Sequence, residues 1–180
     1  MAQDYEGGFP VLYDTQVETT STEPVYQPGA IFTHRSGTGR KQWALVKYIQ
    51  VSNDGISQGE CLFTDDGRTG EWGVKKCTTT EGRQAPFRGL ACATIASNNY
   101  GFMYIGGYVE KGDLSHTAAS GEMLCISGST AGKLTPDGAS SVMNATLGTS
   151  TFATSVFPVA VARTAIGTGV GSCSLIGIWG

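Results

Sequence analysis

Between Arg88 and Glu110 the chain sets two apolar stretches on either side of a polar turn, and no other feature limits its possible folds so strongly. Leu90 to Ala96 is built of small and β-branched residues, and Ser97-Asn98-Asn99 supplies turn formers that tolerate left-handed backbone. Phe102 to Ile105 then resumes an aromatic, β-prone run, punctuated by Gly101, Gly106 and Gly107. This spacing predicts a buried hairpin. The composition agrees: charged residues are only 15%, Gly numbers 26, and Ser and Thr are plentiful, a mixture suited to short strands joined by tight turns.

The other segments extend the same pattern. Ala30-Ile31-Phe32 can form a short strand, and Trp43 to Val51 predicts a long one closed by the Asp54-Gly55 turn. Along it Trp43, Leu45, Lys47, Ile49 and Val51 share one face, and Ala44, Val46, Tyr48 and Gln50 the other. Apolar groups on both faces suit a strand lying between a core and a covering layer. Gly59 to Thr64 and Trp72 to Cys77 predict a second hairpin, and Gly121 to Ile126 a compact strand. Asp65 and Asp66 beside Gly67 lack the alternating acidic spacing of a calcium loop and are read as a turn. Ala139 to Leu147 is the one segment that could make a helical turn. Val156 to Ile166, the Gly167-to-Gly171 break and Cys173 to Trp179 then close the sheet. The expected class is all-β: a single antiparallel β-barrel or β-sandwich domain.

A small-residue strand, Asn98-Asn99-Tyr100-Gly101, an aromatic strand, the Gly106-Gly107 pair, then Gly121-Glu122-Met123-Leu124, Ser127 and Gly132-Lys133-Leu134 follow one another in this order. From Pro28 to Gly180 this succession resembles the β-barrel capsid decoration (cement) proteins of tailed phages. The resemblance implies a structural virion protein, made in the host cytoplasm, that binds the outer surface of an assembled head. Its implied partners are the major capsid protein and itself, as a homotrimer.

A chain of 180 residues suits one domain, residues 28–180, preceded by an extended acidic N-terminal arm, residues 1–27. The arm carries Gly7-Gly8, Pro10, Pro24 and a Thr/Ser tract, and it buries too little apolar surface to order by itself. Phe9, Val11, Leu12 and Tyr13 are its candidate partner-binding anchors. Residues 1–25 hold five acidic side chains and no Lys or Arg, whereas residues 26–90 hold nine basic against six acidic, so the two regions are expected to pair across subunits. His34 to Lys41 forms a basic, Gly-rich loop in which Arg35, Arg40 and Lys41 are candidate polar contacts.

Several function classes lose support. A net charge of −3 and a pI near 5.3 carry no footprint for nucleic acid, and no run approaches the roughly 20 apolar residues of a membrane span. The two histidines lie far apart, and the five cysteines, Cys61, Cys77, Cys92, Cys125 and Cys173, lack a Cys-x-x-Cys pair, so no metal and no cofactor is expected. They read as reduced, buried small apolar residues, with a Cys61 to Cys77 bridge as an open alternative. Ser36 near His34, Ser115 beside His116, and Glu60 with Glu71 do not form a catalytic constellation, so no enzyme is expected. The competing function is a host-surface or carbohydrate-binding β-module of a phage head fibre or tail, with Tyr100, Phe102, Tyr104 and Tyr108 as aromatic candidates. Phe102 and Tyr104 share one strand face and are read as core.

Overall fold

The structure is a computed structural model, and it describes residues 5–36, 42–52, 54–65, 72–78, 87–136, 143–147, 150–154 and 158–176. In these residues the protein is all-β, with one large sheet and one small one. The strands are β1 (Tyr5–Glu6), β2 (Phe9–Tyr13), β3 (Ile31–Ser36), β4 (Gln42–Val51), β5 (Cys61–Thr64), β6 (Gly73–Lys76) and β7 (Phe87–Ala91). They continue as β8 (Tyr100–Leu114), β9 (Met123–Ile126), β10 (Leu134–Pro136), β11 (Met143–Leu147), β12 (Ser150–Thr154), β13 (Ala160–Ala162) and β14 (Gly169–Leu175). One helical turn, α1 (Asp14–Val17), follows β2.

The expected central hairpin is present: Leu90 faces Tyr104 and Ala91 faces Met103. Asn98, in its connection, has φ 63° and is the one non-glycine residue with positive φ among those described. That is the left-handed geometry which an Asn-rich turn admits at low cost.

The strand pairings return on themselves twice. β4 pairs with β6, β6 with β5, β5 with β7, β7 with β8, and β8 again with β4. From the far half of β8 a second circuit runs through β10, β9, β13 and β14 back to β8. Both circuits therefore share one 15-residue strand.

The circuits match position by position. Ile56 and Ile95 exchange two backbone hydrogen bonds of 2.9 Å, and so do Ala118 and Ile166. The Ser57 N–H donates to Glu60 Oε2 at 2.7 Å, and the Ala119 N–H donates to Glu122 Oε2 at 2.7 Å. Ser52 Oγ donates to the Val74 carbonyl at 3.2 Å, as Ser115 Oγ does to that of Leu134. The apolar residues inside correspond as well. Val51, Ile56, Leu62, Val74, Ala91, Ile95 and Met103 fill the first circuit. In the second, Leu114, Ala118, Leu124, Leu134, Ala162, Ile166 and Cys173 take their places. Each fully buried Leu, Ile or Val in these sets contributes roughly 1.5 to 3 kcal/mol of transfer free energy.

The N-terminal segment departs from expectation. Of the arm expected over residues 1–27, the described part begins at Tyr5, and its first strands lie in the sheet. β2 runs parallel to β3 with Val11 facing Thr33, Leu12 facing His34 and Tyr13 facing Arg35, and β3 pairs antiparallel with β4. Leu12 and Val17 are 1% exposed and join Phe32, Val46, Tyr48 and Phe102 in a cluster over the outside of the first circuit. That buried apolar area offsets the ordering entropy which the segment alone could not. Its acidic residues pair within the chain, Glu6 with Arg35 and Glu18 with Lys111 (2.9 Å), where pairing across subunits was expected. Ala139 to Leu147 also differs: its described part, Met143–Leu147, is a strand paired with Ser150–Thr154.

Candidate interaction surface

Strand alternation sorts the candidate partner-binding residues into two sets. Leu12 lies in the row Leu12–His34–Ala44, which turns inward; all three are buried. Phe9, Val11 and Tyr13 lie on the opposite, outward face, beside Thr33 and Arg35 of β3 and Trp43 and Leu45 of β4. Phe9, Thr33, Trp43 and Leu45, with Glu6 and Gly7, line a concavity of about 310 Å³. Arg35 grips the Glu6 carboxylate with two donors, Nε to Oε2 at 2.6 Å and a terminal guanidinium nitrogen to Oε1. Thr33 Oγ1 donates to the Glu6 carbonyl at 3.1 Å. These contacts hold the β1–β2 hairpin in place as the wall of the concavity. Arg40 and Lys41 lie outside the described residues.

The outward face extends beyond β4. Leu45 faces Gly106 of β8, and Leu175 of β14 faces Gly107. A Cβ at Gly106 would meet nothing within 4 Å. Trp43 is 53% exposed and Ile176 41%, among the few large apolar side chains so exposed in the described residues. Sequence reasoning placed Trp43 on this face but did not single it out. The signal was available, because Trp43 stands at the solvent end of a strand whose other face already fills the core.

The chemistry-bearing side chains elsewhere are occupied internally. His34 is 2% exposed on β3, with Nε2 2.9 Å from Asp14 Oδ1 and its ring 5.7 Å from that of Tyr104. Asp14 accepts from Nε2, which leaves Nδ1 as the bare ring nitrogen, buried and without a hydrogen-bond partner among the described residues. Burial lowers the His34 pKa below its ordinary value, against the opposing pull of Asp14. Ser115 Oγ and Thr135 Oγ1 lie 3.0 and 3.3 Å from His116 Nδ1. The Ser115 hydroxyl repeats the bond that Ser52 makes with no histidine beside it, which marks it as a piece of strand architecture.

The five cysteines are free thiols, all buried. Burial raises the Cys92 thiol well above its usual range and pushes Cys173 up to about 12, so both are held protonated and unreactive. Phe102 and Tyr104 are buried, as their shared face implied, while Tyr100 and Tyr108 are part-exposed. Among the described residues no group of three or more His, Cys, Asp or Glu is placed to hold a metal ion, and no helix is long and apolar enough to cross a membrane. No protein-family model matches the chain, and a search of curated proteins finds no match.

Proposed function

We propose that the chain is a structural virion protein that binds the outer surface of an assembled phage head and stabilises it by bridging neighbouring major capsid subunits, acting as a homotrimer. The observation that carries this reading is the concavity in which the exposed Trp43 stands beside the part-buried Phe9 and Leu45, bordered by the Arg35–Glu6 pair. An exposed Trp flanked by apolar neighbours and a charged rim has the make-up of an interface centre, where a single aromatic anchor contributes about 2 to 4 kcal/mol. Repeated over many lattice positions, modest contacts combine into a large gain in resistance to disruption.

The test mixes purified protein with expanded shells that lack it. Stoichiometric binding and added resistance of the shells to heat are expected, and Trp43→Glu should weaken binding by about 30-fold or more at unchanged thermal stability of the free protein. Shells that bind nothing, or that gain no heat resistance, would overturn the proposal. A second reading, binding of host-surface carbohydrate, draws on the same exposed Trp43 ring beside a carboxylate and a guanidinium. Retention of glycans on an array, lost on Trp43→Ala, would favour it over the lattice role.

A further inference from the structure

Leu62 of β5 faces Lys76 of β6, so the residues one step outward, Cys61 and Cys77, stand directly opposite each other at the open end of that hairpin. The Cys77 N–H donates to the Cys61 carbonyl at 3.0 Å. Both side chains are fully buried. A disulfide spans Cα atoms about 4.4 to 6.8 Å apart, and the 3.0 Å bond between the two backbones keeps this pair within that reach.

The site has a second component, because Gly132 of the β9–β10 connection sits between the same two residues. Its carbonyl accepts from the Cys61 N–H at 2.7 Å, and its N–H donates to the Cys77 carbonyl at 2.9 Å. The thiol pair therefore lies where the second circuit hooks onto the first. Other cysteines have different company: the Cys92 N–H donates to the Phe102 carbonyl at 3.0 Å, and Cys125 faces Thr135.

We propose that Cys61 and Cys77 form a covalent modification site, a latent disulfide that remains as two thiols in reducing surroundings and closes when the protein meets an oxidising low-molecular-weight disulfide. One protein thiolate attacks the reagent's sulfur–sulfur bond and releases a first small thiol. The second protein thiolate attacks the resulting mixed disulfide and releases another. The protein pair loses two electrons and two protons, and the reagent gains both as two thiols. Burial raises the Cys61 thiol well above its usual range, so attack proceeds through brief openings of the hairpin end and is slow. The product closes a loop across β5 and β6 and ties down both strands that hold Gly132. This inference is independent of what the concavity binds.

The experiment incubates the full chain with oxidised glutathione, then alkylates the remaining thiols in denaturant without reductant, and records intact mass and a peptide map. Expected are alkylation of three of the five cysteines, a peptide joining Cys61 to Cys77, and a Tm higher by about 6 °C. Cys61→Ala and Cys77→Ala should each abolish the linked peptide and the Tm gain, and Cys173→Ala should retain both. Five alkylated cysteines after prolonged incubation in urea just below the unfolding transition would overturn the proposal. So would a linkage made through Cys173, or a stable glutathione adduct at either position. The wild-type peptide map decides the matter even if a variant fails to fold.

Discussion

At the scale of single residues, His34 shows how far a local reading extends. Its sequence surroundings, Arg35-Ser36-Gly37 and the basic run beyond, suggest a loop, yet it stands on β3 with Leu12 on one side and Ala44 on the other. What buries it is β2, a strand more than 20 residues earlier that pairs in parallel, and local sequence carries no mark of such a partner. Alternation within Phe9-Pro10-Val11-Leu12-Tyr13 was legible, and it separates the inward Leu12 from the outward Phe9, Val11 and Tyr13 once the strand has a neighbour. His34 is faced by Asp14 of α1, by Glu18 just after it and by Glu110 of β8, all of which favour the protonated form, but burial outweighs them. Its folded pKa lies below the ordinary 6.5, so the unfolded chain binds the proton more readily. The stability contribution is therefore complete above pH 6.5 and declines as pH falls through and below that value. Thermal melts between pH 7.5 and 5 should show a falling Tm, and His34→Gln should flatten that part of the profile; an unchanged slope would refute the assignment.

At the scale of elements, two equivalent glycines offer a controlled comparison. Gly59 and Gly121 precede β5 and β9, with φ of +82° and +83°, and each donates its N–H to the matching strand, to Ala91 and Ala162 respectively. A Cβ at Gly59 would overlap the Lys111 carbonyl oxygen of β8, whereas at Gly121 nothing lies within 4 Å. Gly121→Ala should therefore cost about 1 kcal/mol, the strain of left-handed backbone, and Gly59→Ala about 3 kcal/mol or more, because β8 must move. Urea titration of both variants checks this, and equal losses would contradict the packing described. Most strands were legible because their apolar runs end at Gly, Asn or Asp. Ala139 to Leu147 was not, since Ala, Met and Leu suit a helix while Thr146 and Asn144 do not. Pairing of Met143–Leu147 with Ser150–Thr154 settled the competition.

At the scale of the whole molecule, the internal correspondence was the feature that sequence reading passed over. Gly59-Glu60-Cys61-Leu62 and Gly121-Glu122-Met123-Leu124, each at the start of a strand, are its clearest trace. The interiors diverge in identity, Met103 against Cys173 and Ile56 against Ala118, because each circuit needs only a filled volume. Hydrogen bonds of the backbone, by contrast, are kept almost atom for atom. Since β8 supplies both circuits and Gly132 ties the second to the first, neither has an independent melt available to it. Denaturation followed by tryptophan emission and by far-ultraviolet dichroism should give superimposable curves with one transition. Two resolved transitions would show that the circuits are separable.

The common strand also restricts how such a chain can change over generations. One codon gained or lost within Tyr100–Leu114, away from the two register shifts the strand already carries, would turn the following side chains to the opposite face and spoil one circuit whichever half it struck. The connections are free of that constraint, and the stretch between β10 and β13, which holds the β11–β12 hairpin, is longer than its counterpart between β6 and β7.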